Sequence, residues 1–105
     1  MKNLKKFREY HIGKLNTKKA AKIYLEVALE EYEKDQDKAS FLQAIRDVAE
    51  AQGGLSRLSE RTLLNRQNLY KALSAKGNPT IETVGAILQG LGFRLSIQSL
   101  SKSAA

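Results

Sequence analysis

Residues 55–73, LSRLSERTLLNRQNLYKAL, constrain the fold of this chain more than any other stretch. Leu55, Leu58 and Ser59 recur at helical spacing, and Leu69, Ala72 and Leu73 repeat the pattern further on. Between them Leu63 and Leu64 place two apolar residues side by side, which breaks the register of a single continuous helix. The pattern predicts two short amphipathic helices joined by a tight turn. Asn65 marks the start of the second, because its side-chain oxygen can accept from the free N–H groups of a first turn.

Arg66, Gln67 and Asn68 follow Asn65, with Lys71 one turn further on, all on the polar side of the second helix. Arg can donate two parallel hydrogen bonds to the O6 and N7 of guanine, and Gln or Asn can pair with the N6 and N7 of adenine in the major groove. A helix-turn-helix presents the first residues of its second helix to base edges, so residue type and position agree. Arg66, Gln67, Asn68 and Lys71 are therefore the candidate base readers. Arg57, Arg61, Asn65 and Lys76 flank them as candidate contacts to the DNA backbone.

Charge supports a polyanionic partner without naming it. Eighteen Lys and Arg against eleven acidic residues leave a formal charge of +7. At 105 residues there is length for one domain with one modest core, and 42% hydrophobic with 28% charged residues is a globular balance. The chain has no Cys, which excludes a disulfide scaffold or a thiolate metal site and suits a reducing cytoplasm. No stretch approaches the roughly 20 apolar residues of a membrane span, and MKNLKKF lacks the apolar run of a secretory signal. A soluble, cytoplasmic protein without cofactor or metal is expected.

The remaining elements can be placed in order. Residues 1–16 carry Lys2, Lys5, Lys6, Arg8 and Lys14 against Glu9, with irregularly spaced apolar residues, and read as a basic arm. Thr17 can cap a helix over 17–36, with Ala21, Leu25, Ala28, Leu29 and Tyr32 inward, widened by Tyr24 and Val27. Its outer face is acidic: Glu26, Glu30, Glu31 and Glu33. A helical bundle follows over 37–92. Its first helix starts between Asp37 and Ser40, with Ser40 and Gln43 as a capping box, and ends at Gly53 and Gly54. Asn78 and Pro79 predict the start of its last helix, which Gly92 closes. Phe93, Leu95 and Ile97 alternate with polar residues, predicting a short strand over 93–99 that pairs with a second subunit or with the arm. Residues 100–105 read as a tail.

The central stretch resembles the helix-turn-helix of the Cro and lambda-repressor group. With YLEVALEE (24–31), FLQAIRDVAEAQGG (41–54), NLYKALSAKGNPT (68–80) and ILQGLGFRL (87–95), the chain resembles addiction-module antidote (antitoxin) proteins close to the HigA type. The resemblance implies an all-α, lambda-repressor-like bundle and a homodimer that binds a near-palindromic operator. It also implies a partner toxin of the RelE and HigB ribonuclease kind, encoded beside the antidote. Two positions depart from the family. Ser59 stands where Ala is usual, and its hydroxyl is expected to bond back to a carbonyl one turn earlier. Leu63 stands where Gly is usual, in a turn that often needs positive φ, so a rearranged turn is expected.

An enzyme is not expected. His11 is the only histidine, the acidic residues lie on helix faces, and Gly53 with Gly54 fits a helix end better than a phosphate loop. A different class of function stays open: a protein-interaction module that neutralises a toxin without binding DNA. A third reading, the toxic ribonuclease itself, fits the helical pattern poorly.

Overall fold

A computed structural model describes residues 14–100, in which five helices share one core. They are α1 (Lys18–Asp35), α2 (Lys38–Ala51), α3 (Gly54–Thr62), α4 (Arg66–Ala72) and α5 (Ile81–Gly90). Most of the expected arm, residues 1–13, and residues 101–105 of the tail lie outside the described residues. No helix among the described residues is long and apolar enough to cross a membrane.

Thr17 caps α1 as expected, its hydroxyl oxygen accepting from the Ala20 N–H at 3.1 Å. Only part of the expected inward stripe is buried. Ala21 and Leu25 enter the core, whereas Leu29 and Val27 remain exposed. The cause is tertiary: α1 packs chiefly against α2, so one narrow face is covered.

The α2 cap differs from the expected capping box. Asp37 is the N-cap, its Oδ1 accepting from the Ser40 N–H at 3.2 Å while the Ser40 hydroxyl donates to Oδ2 at 2.6 Å. Gln43 reaches forward instead, donating to Asp47 Oδ1 at 3.0 Å. A carboxylate one turn earlier outcompetes the serine as acceptor for the free N–H groups. Leu42, Ile45 and Val48 place α2 at the centre of the core, each burial stabilising by roughly 1.5–3 kcal/mol. Asp47 is also buried, at 1% exposure, and accepts from the Tyr24 hydroxyl of α1 at 2.7 Å. This bond ties the first helix to the second across 23 residues of sequence.

Helix α2 closes at Gln52, and the two glycines lead directly into α3. Leu58 of α3, Leu69 of α4, Leu73 and Ile87 of α5 fill the lower core. Helix α5 crosses α3 closely at Gly90, where a Cβ would lie 2.5 Å from the Thr62 methyl and 2.7 Å from a Leu58 methyl. A side chain there would push the two helices apart.

Two further expectations are corrected at the end of the chain. Thr80, not Asn78, caps α5, accepting from the Thr83 N–H at 3.2 Å. Asn78 accepts from Lys38 Nζ at 2.9 Å, so its oxygen is used in a long-range contact. Gly92 does close the helix, with φ of 99° and bonds from Gly92 N to Gln89 O and from Phe93 N to Leu88 O, the pattern of a Schellman motif. The strand expected over 93–99 is not seen: residues 93–100 pair with no strand among the described residues, which offer this segment no free edge.

Candidate nucleic-acid interface

Helices α3 and α4 are joined by a turn of three residues, 63–65. The turn keeps the geometry that a glycine would have allowed. Leu63 adopts φ of 63° and ψ of 9°, left-handed, so the residue is strained but the turn is not rearranged. Its side chain is 97% exposed and contributes nothing to the core. Leu64, immediately after it, packs against the core. The adjacent pair of leucines is thus split by the turn, one outward and one inward.

Two hydroxyls hold the turn. Ser59 donates forward to Leu64 O at 2.7 Å, not back to a carbonyl one turn earlier. The change satisfies a carbonyl that the turn has removed from any helix. Thr62 accepts from the Leu64 N–H at 3.2 Å and donates to Leu58 O at 2.9 Å. Asn65 then caps α4, its Oδ1 accepting from the Asn68 N–H at 2.7 Å. With that oxygen occupied, its amide N–H groups are the donors left for another contact.

Burial of Leu69 and Leu73 orients the short α4 so that Arg66, Gln67, Asn68 and Lys71 are exposed. Among the described residues the side chains of Arg66, Gln67 and Lys71 take part in no hydrogen bond or ion pair. From Gly54 to Thr80 the cations Arg57, Arg61, Arg66, Lys71 and Lys76 face a single acid, Glu60. The local balance is far more basic than that of α1.

The structure divides the sequence-derived candidates. Asn68, Lys71 and Lys76 line one concavity of about 550 Å³ between α4 and the start of α5. Ser74, Asn78 and Thr80 line it too, and were not expected there because the loop that brings them to α4 has no periodicity to read. Arg66 and Gln67 stand at the exposed start of α4, and Arg57 is exposed on α3. Arg61 is turned to the protein: it donates to Gln52 Oε1 at 3.3 Å and Gly90 O at 3.4 Å, tying α3 to the end of α2 and to α5. Tyr70, exposed on α4, lies beneath the Arg46 guanidinium of α2, 5.6 Å from its ring centroid. That contact braces α4 from the side, and no sequence spacing signals it.

Comparison with known proteins places the fold in context. Over 57 residues the chain is 37% identical to an uncharacterized protein of Haemophilus influenzae, covering 54% of this chain and 58% of the relative, so it spans under two thirds of that relative's length. No solved structure matches. The model of a family described as probable addiction module antidote proteins matches residues 4–99, almost the whole chain. The chain belongs to the family of probable addiction module antidote proteins.

Proposed function

We propose that this antidote is also a sequence-specific DNA-binding repressor, which neutralises a small ribonuclease toxin of the RelE and HigB kind and represses the operon encoding both. The observation that carries the DNA reading is the start of α4. A helix seated by Leu69 and Leu73 holds Arg66, Gln67 and Asn68 on its first turn and Lys71 on its second, exposed beside a basic loop. In a helix-turn-helix of the Cro and lambda-repressor kind these side chains approach base edges in the major groove. Lys76, Arg57 and the Asn65 amide contact phosphates and set the register. Arg61 supports them by holding α3 in place.

The repressor acts as a homodimer joined through residues 93–100. Leu95, Ile97 and Leu100 are exposed there on a segment without secondary structure, and pairing with a second copy would cover them and satisfy the backbone groups. Two recognition helices then lie about 34 Å apart and read a near-palindrome with half-sites one helical turn apart. The test is fluorescence anisotropy on DNA from upstream of the gene against a scrambled duplex at two salt concentrations. A preference of about a thousandfold or more, falling steeply with salt, is expected. Little preference between the two duplexes removes the repressor role and leaves a module that binds the toxin alone.

A further inference from the structure

A second surface, which shares no lining residue with the concavity beside α4, is built for a different occupant. Ile23, Val27, Ala28 and Tyr32 of α1 form the apolar side of a groove of about 550 Å³ against α2. Ile23 and Val27 are each about half exposed, which leaves apolar surface uncovered. Glu31, Asp35 and Asp37 stand along the same groove. An apolar floor with an acidic border fits an amphipathic, basic segment.

We propose that this groove is the docking site of the chain's own N-terminal segment, residues 1–13. Three observations point to that occupant. Lys14 and Leu15, the first described residues, themselves line the groove, so the preceding segment leaves from its end. The segment carries Lys2, Lys5, Lys6 and Arg8 against Glu9, opposite in sign to the border, and Leu4, Phe7, Tyr10 and Ile12 to cover the floor. It also has the reach. Thirteen extended residues span about 43 Å, whereas the 18 residues of α1 rise about 27 Å, so the segment can pass Val27 and arrive at Asp35. Tethering at Lys14 makes the docking intramolecular, which favours this occupant over a free peptide of the same composition. The docked segment places its cations against Glu31, Asp35 and Asp37 and closes the apolar face of α1.

The full chain allows a direct test because it contains no Cys. A nitroxide on Asn3→Cys is expected to remove most of the NMR intensity of the Val27 and Ala28 methyls. Leu29, which lines a different concavity on α1, is expected to keep its signal. Adding Phe7→Asp to the tagged chain is expected to restore the Val27 and Ala28 signals, and Glu31→Lys with Asp35→Lys to do so in part. Even bleaching of all α1 methyls, insensitive to Phe7→Asp, would show an undocked tether and overturn the proposal. Bleaching that appears when tagged, unlabelled chain is mixed with untagged, isotope-labelled chain would assign the groove to a second copy and overturn it equally.

Discussion

Leu63 offers the sharpest test of how the turn between α3 and α4 is held. It occupies the left-handed region at φ of 63° while its side chain is 97% exposed. Replacing it by Gly therefore removes backbone strain and almost no burial. A left-handed conformation costs a residue with a Cβ about 1–2 kcal/mol. Gly returns about 0.4–1 kcal/mol of that through the greater freedom of the unfolded chain. The balance is a net stabilisation of roughly 0.5–1 kcal/mol for Leu63→Gly, or a rise in Tm of roughly 2–6 °C for a domain of this size. Leu63→Ala is the control, because it removes the same exposed side chain but keeps the Cβ and hence the strain; its change should stay within about 0.5 kcal/mol. Urea denaturation of the three proteins followed by circular dichroism measures both differences. The reasoning is refuted if Leu63→Gly leaves the midpoint unchanged or lowers it, or if Leu63→Ala raises it equally. The first result would mean that the leucine side chain contributes stability despite its exposure, and the second that side-chain exposure, not backbone strain, is what the substitution relieves.

Tyr24→Phe removes the hydroxyl that donates to the buried Asp47 carboxylate, and is expected to cost about 1.5–3 kcal/mol in urea denaturation, as befits a hydrogen bond to a charged group. Arg66→Ala is expected to lose about 1–3 kcal/mol of discrimination at one base pair per half-site, while Lys76→Ala weakens all duplexes alike and lowers the salt slope by about one; equal losses on specific and random DNA for Arg66→Ala would remove it from base reading. The Asp37 carboxyl is held below its ordinary pKa chiefly by the Ser40 hydroxyl and then by the Ser40 N–H. A depressed folded-state pKa contributes stability that is present above the unfolded value of about 3.9 and is lost as pH falls through the folded value, so Asp37→Asn should flatten that part of the acid-unfolding curve; an unchanged acid limb would show that the cap carries no pH dependence.

Local rules were enough at several helix ends, though not at α2, where Asp37 takes the cap expected of Ser40. Thr17 and Asn65 cap the helices that their neighbours form, and the Gly92 terminus follows from the backbone around it. The family was legible in the same way, in the motif around LYKALS and GNPT, and the family match over residues 4–99 agrees at the level of the antidote proteins. The polar start of α4 was readable in part, since helical spacing puts Gln67 and Lys71 opposite Leu69 and Leu73, whereas Arg66 is exposed because it opens the helix.

What the sequence by itself determined is where helices can begin and end and which of their residues are apolar. Only the tertiary structure decided which partners those residues take. Asn78 is as good a cap as Thr80 by residue type, but Lys38, forty positions earlier, claims its oxygen. Arg61 has the chemistry of a phosphate contact, and packing of α5 against α3 also brings the Gly90 carbonyl to it. Val27 and Leu29 belong to an apolar stripe that α2 leaves largely exposed among the described residues, and Leu95 and Ile97 alternate like a strand but join no edge among those residues. The physical reason is common to all of them. Periodicity and capping are properties of a few bonded neighbours, whereas burial and long-range hydrogen bonds depend on which surfaces meet after the chain has folded.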